Sequence, residues 1–261
     1  MPEVNFDSEY VKSKLSHNKI IGRDIFYFSK TESTMDEAHK IANTKQIEGA
    51  VFIAEEQAFG RGRFSRKWIS DAGVNLTFSI LLRPDVSKMR FINMASALAI
   101  ANGVFFVTGL ESTLKWPNDV RIKKMKVAGI LIESRFDKYG DMYMVLGIGI
   151  NVNMRIEQHA EIKSLATSLF NESGKSVSRI DLFVAILNSL DVFYQNLDCS
   201  DEIRNEWTSK LDTLGMDINF LIGESIIEGR AESVDEEGNL IVRKKDGELV
   251  TYSAGEITLQ T

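Results

Sequence analysis

The spacing of apolar residues changes along the chain, and each change predicts an element. Residues 25–29, Ile-Phe-Tyr-Phe-Ser, read as a strand. Thr34 followed three residues on by Glu37 is a capping-box start and predicts a helix through about Asn43. Residues 50–56 and 74–82 read as strands, the second ending at Pro84, with a glycine-rich, charged loop over 60–73 between them. Phe91, Met94, Ala95, Leu98 and Ala101 share one helical face and predict a helix over about 88–107. Strands fit 113–116, 127–134 and 142–150. Ile180, Phe183, Val184, Leu187 and Leu190 predict a helix over 180–197 capped by Ser178, and another helix fits about 201–211.

After Gly215 the texture becomes short strands separated by Glu237-Gly238-Asn239 and Asp246-Gly247. The chain therefore divides into residues 1–215 and a small β-barrel-like domain, 216–261, whose thin core calls for docking on the rest. Strands and helices in the larger part do not alternate cleanly. This predicts an α+β fold with a mainly antiparallel sheet rather than a doubly wound one.

The composition is that of an ordinary folded chain: 261 residues, 44% hydrophobic, 26% charged, three prolines. The net charge of −6 argues against nucleic acid as a partner but leaves room for a local basic pocket. One cysteine, Cys199, permits no internal disulfide, and His17, His39 and His159 are too scattered for a metal motif. The cysteine count points to a reducing, cytoplasmic setting. Met1-Pro2-Glu3-Val4-Asn5 has neither the charge nor the apolar run of a secretory signal. The apolar stretch from Met94 to Leu110 is broken by Ser96, Asn102, Gly103 and Thr108, so it reads as a buried helix rather than a membrane span.

Two nucleotide motifs fail on inspection. Gly174-Lys175-Ser176 resembles a P-loop tail, but Leu169 stands where the first glycine belongs, so it is a turn between helices. Gly60-Arg61-Gly62 begins a dinucleotide fingerprint that Ser65 breaks.

Three segments are harder to treat as scaffold. Arg61, Arg63, Arg66 and Lys67 crowd into residues 60–68 of an acidic chain, next to Trp68. A solvated basic loop has this composition. So does a flap whose glycines let backbone N–H groups approach an anion, whose arginines bind carboxylate or phosphate, and whose tryptophan stacks on a base. Lys115-Trp116-Pro117-Asn118-Asp119 is either a strand end and turn or part of a site, and Lys126 leads an apolar strand, which costs desolvation unless an anion meets it. Gly147 and Gly149 interrupt a strand before Asn151, marking a bulge or a close approach of ligand to backbone.

In this order the segments resemble the biotin protein ligases, also called biotin–acetyl-CoA-carboxylase ligases, from about residue 20 to the C-terminus. The resemblance is carried by Glu32-Ser33-Thr34, by Ala54-Glu55-Glu56-Gln57 leading to Gly60-Arg61-Gly62-Arg63 and Arg66-Lys67-Trp68, and by Lys115-Trp116-Pro117-Asn118-Asp119. Lys126 with Gly129-Ile130-Leu131 and Glu133, then Gly147 to Asn151, complete it. It departs at Phe64 and Ser65, where many members have a basic or small residue and then glycine. That departure bears on how freely the flap moves and how tightly it retains the intermediate.

The resemblance implies a catalytic domain of the fold shared with class II aminoacyl-tRNA synthetases and lipoate ligases, plus an SH3-like C-terminal domain. It implies the monofunctional type, because the catalytic pattern begins by about Ile20 and leaves no room for a winged DNA-binding domain. The implied reaction joins biotin to ATP, with Mg2+ carried on the ATP, and transfers biotin from biotinyl-5′-AMP to a lysine of a biotin carboxyl carrier protein domain. Homodimers that pair through the catalytic domain occur in the family. Lipoate ligation on the same fold and a non-catalytic biotin sensor are the alternatives.

By the same resemblance Ser33, Thr34 and Gln57 hold the ureido ring; Gly129, Gly147 and Gly149 line the biotin slot beside Gly60 and Gly62; and Arg61 and Arg63 neutralise carboxylate and phosphates. Lys126 sits where charge builds on the α-phosphate. Arg66, Lys67, Trp68, Asn118, Asn151 and Arg155 attend the nucleotide, with Trp68 over the adenine. Asp119 is the candidate base for the acceptor lysine, of which roughly one in a few thousand is neutral at pH 7.

Overall fold

The computed structural model describes residues 8–15, 17–44, 46–222, 225–253 and 255–259; segment 1–7 and the side chains of Ser8, Ser65, Ile222, Ser225, Glu256, Thr258 and Leu259 lie outside that description. In chain order the elements are α1 Ser8–Lys14, β1 Ile25–Thr31, α2 Thr34–Ala42, β2 Ala50–Gln57, β3 Leu76–Leu82, α3 Met89–Thr108, β4 Thr113–Lys115, β5 Asp119–Ile122, β6 Met125–Phe136 and β7 Met142–Ile150. After them come α4 Leu169–Ser173, α5 Arg179–Gln195, α6 Ser200–Ser209, β8 Asp217–Ile222, β9 Ser225–Val234, β10 Leu240–Lys244, β11 Leu249–Tyr252 and β12 Glu256–Leu259. The first seven strands form one sheet in the order β1-β2-β3-β7-β6-β5-β4, and the last five form a second, antiparallel sheet, β11-β10-β9-β8-β12. Only β1 and β2, joined across α2, run parallel in the first sheet. The fold is thus α+β, with a mainly antiparallel seven-stranded sheet and a small antiparallel C-terminal sheet.

Alternation along the strands sends one set of side chains to each face. Leu76, Phe78 and Ile80 of β3 and Leu146, Ile148 and Ile150 of β7 enter the main core under α3, α5 and α6. Phe78 meets Phe183 of α5 edge to face, with centroids 5.0 Å apart, a geometry worth about 0.5–1.5 kcal/mol beyond area burial. The apolar run of α3 is long enough to cross a bilayer by length and composition, but most of it is buried here. Gly103 brings α3 so close to α5 that an added Cβ would stand 2.5 Å from Ile186 Cγ1. On the opposite face α2 covers β2, β3 and β7 through Met35, Ala38 and Ala42, and leaves the rest of that face open.

The C-terminal sheet shares the main core through Ile218, Phe220, Ala231 and Leu240. Trp116, 2% exposed, is the joint. Its indole Nε1–H donates to Gly238 O at 2.9 Å, its backbone N–H donates to Thr213 Oγ1 at 3.0 Å, and its ring lies 6.0 Å from that of Phe220.

Local readings hold where the signal is local. Ser178 caps α5 by accepting from Asp181 N, and Gly174 is the left-handed C-cap of α4. The capping box on Thr34 is corrected. Ser33 is the N-cap, without a side-chain cap bond, because the Thr34 hydroxyl is engaged by Gln57 and Ser79 and the Glu37 carboxylate accepts from Thr31. The sequence reading also passed over α1, α4 and β5. Strand β5 was hidden because its two-residue turn to β6 is Lys123-Lys124, at φ 49° and 69°, where Asn-Gly is the usual signal.

Candidate functional site

The open face of the first sheet becomes a trough because its cross-strand rows lack bulk. Ser79, Gly147 and Leu131 lie in one row across β3, β7 and β6, and Thr77, Gly149 and Gly129 lie in the next. The two-residue period puts both β7 glycines on this face. Over the trough a cavity of about 920 Å³ opens between α2, the 60–68 flap, the β4–β5 turn and the C-terminal sheet.

One end is neutral. Gln57 Oε1 accepts from Thr34 N at 2.8 Å and from Thr34 Oγ1 at 3.1 Å. That leaves Ser79 Oγ, 2.7 Å away, to donate to Thr34 Oγ1. Ser33, Thr34 and Ser79 are all buried, so hydroxyl and amide groups converge there on a short length of wall.

The other end is basic, and Asp119 is the single carboxylate among its described lining residues. Asp119 Oδ1 is 2.5 Å from Lys126 Nζ, and that ammonium also lies 5.8 Å from the Trp68 ring centroid. Trp68 rests directly on the glycine row: a Cβ at Gly149 would meet its Cε2 at 2.3 Å, and one at Gly129 would meet its Cζ3 at 3.3 Å. Gly147 instead lies under Met35, whose Sδ would stand 3.0 Å from an added Cβ. The flap is closed on itself by a bridge between Arg61 and Lys67 and by Trp68 N–H donating to Gly60 O at 2.9 Å.

The structure brings most of the expected residues to this cavity, with differing engagements. Arg61 pairs through Nη1 with both Asp36 oxygens, at 2.8 and 2.9 Å. Arg63 donates to Asn118 Oδ1 at 3.0 Å and to Gly255 O at 3.1 Å, tying the flap to the β4–β5 turn and to the C-terminal sheet. Asn118 Nδ2 donates in turn to Ile130 O. Asn151 Nδ2 donates to Thr167 O, while its buried Oδ1 accepts no hydrogen bond among the described residues. Gly62, Arg66 and Lys67 line the cavity, as does Lys115. Gly60 lies just behind the lining, where a Cβ would meet Trp68 O at 3.0 Å. Arg155 lies outside the lining, over the Phe170 ring and beside Glu157.

Five neighbours of the site were not read from the sequence: Thr77, Ser79, Asp36, His39 and a role for Glu133. The alternation in Leu76-Thr77-Phe78-Ser79 is the signal that places the first two on the open face. His39 is buried, with Nε2 2.9 Å from Glu133 Oε2 and Nδ1 3.1 Å from the Tyr143 hydroxyl. Burial holds its pKa below the ordinary value, against the pull of Glu133. Burial pushes the Glu133 carboxyl up, but its bond to His39 and the charges of Arg61 and Arg135 outweigh this and leave it below the usual range.

The cavity thus joins a neutral hydrogen-bonding corner and a glycine floor to a basic mouth under a flap. Residues 26–153 match the Biotin/lipoate A/B protein ligase family, and residues 213–259 match the Biotin protein ligase C terminal domain. The chain is 31% identical to the bifunctional ligase/repressor BirA of Bacillus subtilis over 241 residues, 90% of this chain and 74% of that one. It is 31% identical to the biotin–[acetyl-CoA-carboxylase] ligase of Paracoccus denitrificans, covering 87% of this chain and 97% of that one. The biotin protein ligase of Aquifex aeolicus, solved with biotin and ATP, superposes with a TM-score of 0.77 at 28% identity, over 91% of this chain and 99% of that one. The chain belongs to the biotin protein ligases of the biotin/lipoate ligase family.

Proposed function

We propose that this chain is an ATP-dependent biotin protein ligase, with residues 1–215 as the catalytic unit and 216–261 as an SH3-like cap on it. Biotin's carboxylate attacks the α-phosphate of ATP, forming a C–O–P mixed anhydride and expelling pyrophosphate. A lysine amine of a biotin carboxyl carrier protein domain then attacks the acyl carbon and expels AMP. The work is cytoplasmic.

The observation that carries this reading is the polarity of the cavity. Thr34, Gln57 and Ser79 form a neutral corner suited to a ureido group, and a site built to pair such a group rejects analogues that leave its donors unpaired. A dithiolane offers that corner no hydrogen bonds, which favours biotin over lipoate. At the other end Lys126, Arg63 and Arg66 face the place where carboxylate and phosphates meet. Joining two anions requires positive charge and in-line placement rather than a protein nucleophile. Lys126 leaves Asp119 for the α-phosphate as charge develops there, an electrostatic role worth roughly a hundredfold in rate. Asp119, the one carboxylate among the described lining residues and already paired, is a meagre cage for Mg2+, so the ion would arrive with ATP. Trp68 and the flap cover the anhydride and keep water from it.

The test is to mix the protein with biotin and Mg·ATP without acceptor and to measure biotinyl-5′-AMP by mass spectrometry and pyrophosphate by a coupled assay. Lipoate replaces biotin in parallel, and Lys126→Ala serves as control. Adenylate formed from biotin alone and lost in the variant is expected. Biotin binding without adenylate would overturn the assignment in favour of a sensor.

A further inference from the structure

Arg61 is held by more than its place in the flap. Asp36, in the first turn of α2, accepts two hydrogen bonds from its Nη1, at 2.8 and 2.9 Å. Glu133, on β6, places Oε1 3.5 Å from its Nη2. Glu133 is itself held: its Oε2 is 2.9 Å from His39 Nε2 and 2.8 Å from Arg135 Nη2. His39 is braced by the buried Tyr143. Two carboxylates on separate elements thus converge on one flap guanidinium: hydrogen bonds run from Tyr143 of β7 through His39 to Glu133, and an ion pair carries the link from Glu133 to Arg61.

The charge of Arg61 is already matched twice, so its contribution toward an incoming anion is placement rather than net charge. Placement of Arg61 is also placement of Trp68, because the Arg61–Lys67 bridge and the Trp68 N–H to Gly60 O bond make the flap arms one unit. We propose that Asp36 and Glu133 are positioning residues that latch Arg61, and with it Trp68, over the cavity, and so set how long the activated acyl-adenylate stays enclosed. This rests on the ligase reading above.

The experiment uses the full chain carrying Asp36→Asn, Glu133→Gln, Arg61→Met, and Asp36→Asn combined with Arg61→Met, with Lys40→Gln as a control elsewhere on α2. The flap is read by the rate of tryptic cutting after Arg66 or Lys67, without ligand and with biotin plus Mg·ATP. Retention is read by the rate at which biotinyl-5′-AMP leaves the protein. Each carboxylate variant is expected to raise flap cutting and adenylate release roughly three- to tenfold, with melting temperature unchanged in Asp36→Asn and both rates unchanged in Lys40→Gln. In the double variant Asp36→Asn should add nothing to Arg61→Met, as residues acting through one contact are not additive. Unchanged flap cutting in Asp36→Asn, or effects that add fully, would overturn the latch. Should Glu133→Gln fold poorly, Asp36→Asn at its half-buried position carries the test. Absence of adenylate in the unsubstituted protein would sink the ligase reading instead, while cutting of the ligand-free flap still decides the latch.

Discussion

Trp68 lies flat against Gly149: a Cβ on that glycine would stand 2.3 Å from Cε2 and 2.5 Å from Cζ2 of the indole. Gly149 is the cross-strand partner of Gly129, so the missing side chains are what let the flap tryptophan reach the sheet. Gly149→Ala should displace a flap residue rather than a core one. Biotin affinity, measured by calorimetry, is expected to fall roughly tenfold or more, in line with about 1–3 kcal/mol of overpacking, while the melting temperature stays nearly unchanged. A large loss of melting temperature with intact affinity would contradict this placement.

Asp119 and Lys126 form a 2.5 Å pair at the basic end of the cavity. A carboxylate serving only as base for the acceptor lysine would affect only the transfer step. Asp119→Asn is instead expected to slow adenylation about tenfold as well, because the ammonium loses the partner that aims it. Measuring pyrophosphate release and biotin transfer separately decides between the two roles.

Lys123 and Lys124 form the β5–β6 turn at positive φ, 49° and 69°, with Arg121 donating to Lys124 O. Left-handed backbone costs an L-residue about 1–2 kcal/mol, and glycine gives back roughly half of that gain in unfolded-chain entropy. The Lys123–Glu172 pair is exposed on the lysine side and adds little. Lys123→Gly should therefore raise the melting temperature by about 1–3 °C in a thermal scan, with adenylation unaffected.

Buried His39 makes folding sensitive to acid. Its folded pKa lies below the ordinary 6.5 because burial disfavours the cation. Between those two values the unfolded chain binds more protons, so the stabilisation is complete above pH 6.5 and is lost as pH falls through the folded pKa. Glu133, lowered from 4.5, acts in the same direction but at lower pH. The urea midpoint should fall as pH drops from 6.5 toward 5, and His39→Gln should flatten that stretch of the profile. An equally steep profile in the variant would assign the acid limb to other groups.

Short-range patterns were sufficient for α5, where the cause is short-range. The i, i+3, i+4 spacing of Ile180 to Leu190, the Ser178 cap and the Gly174 stop depend on neighbours within a turn or two, and α5 and its cap formed as the sequence predicts. The order of the Ser33-Thr34, Gly60–Trp68, Lys115–Asp119, Lys126 and Gly147–Asn151 segments was enough to name the family, because a shared reaction needs those groups in that arrangement. Three things were decided only by the fold. Thr34 serves Gln57 and Ser79 rather than a capping box, because β2 and β3 pack beneath α2. The rows Thr77–Gly149–Gly129 and Ser79–Gly147–Leu131 exist only once β3, β7 and β6 find their register. Arg61 meets Asp36 and Glu133 across 25 and 72 positions of chain, where no local period links them. Sequence carries the propensities and the chemistry of each group. Which groups meet is a matter of strand register and core closure, and these are settled by long-range burial that no short window of residues contains.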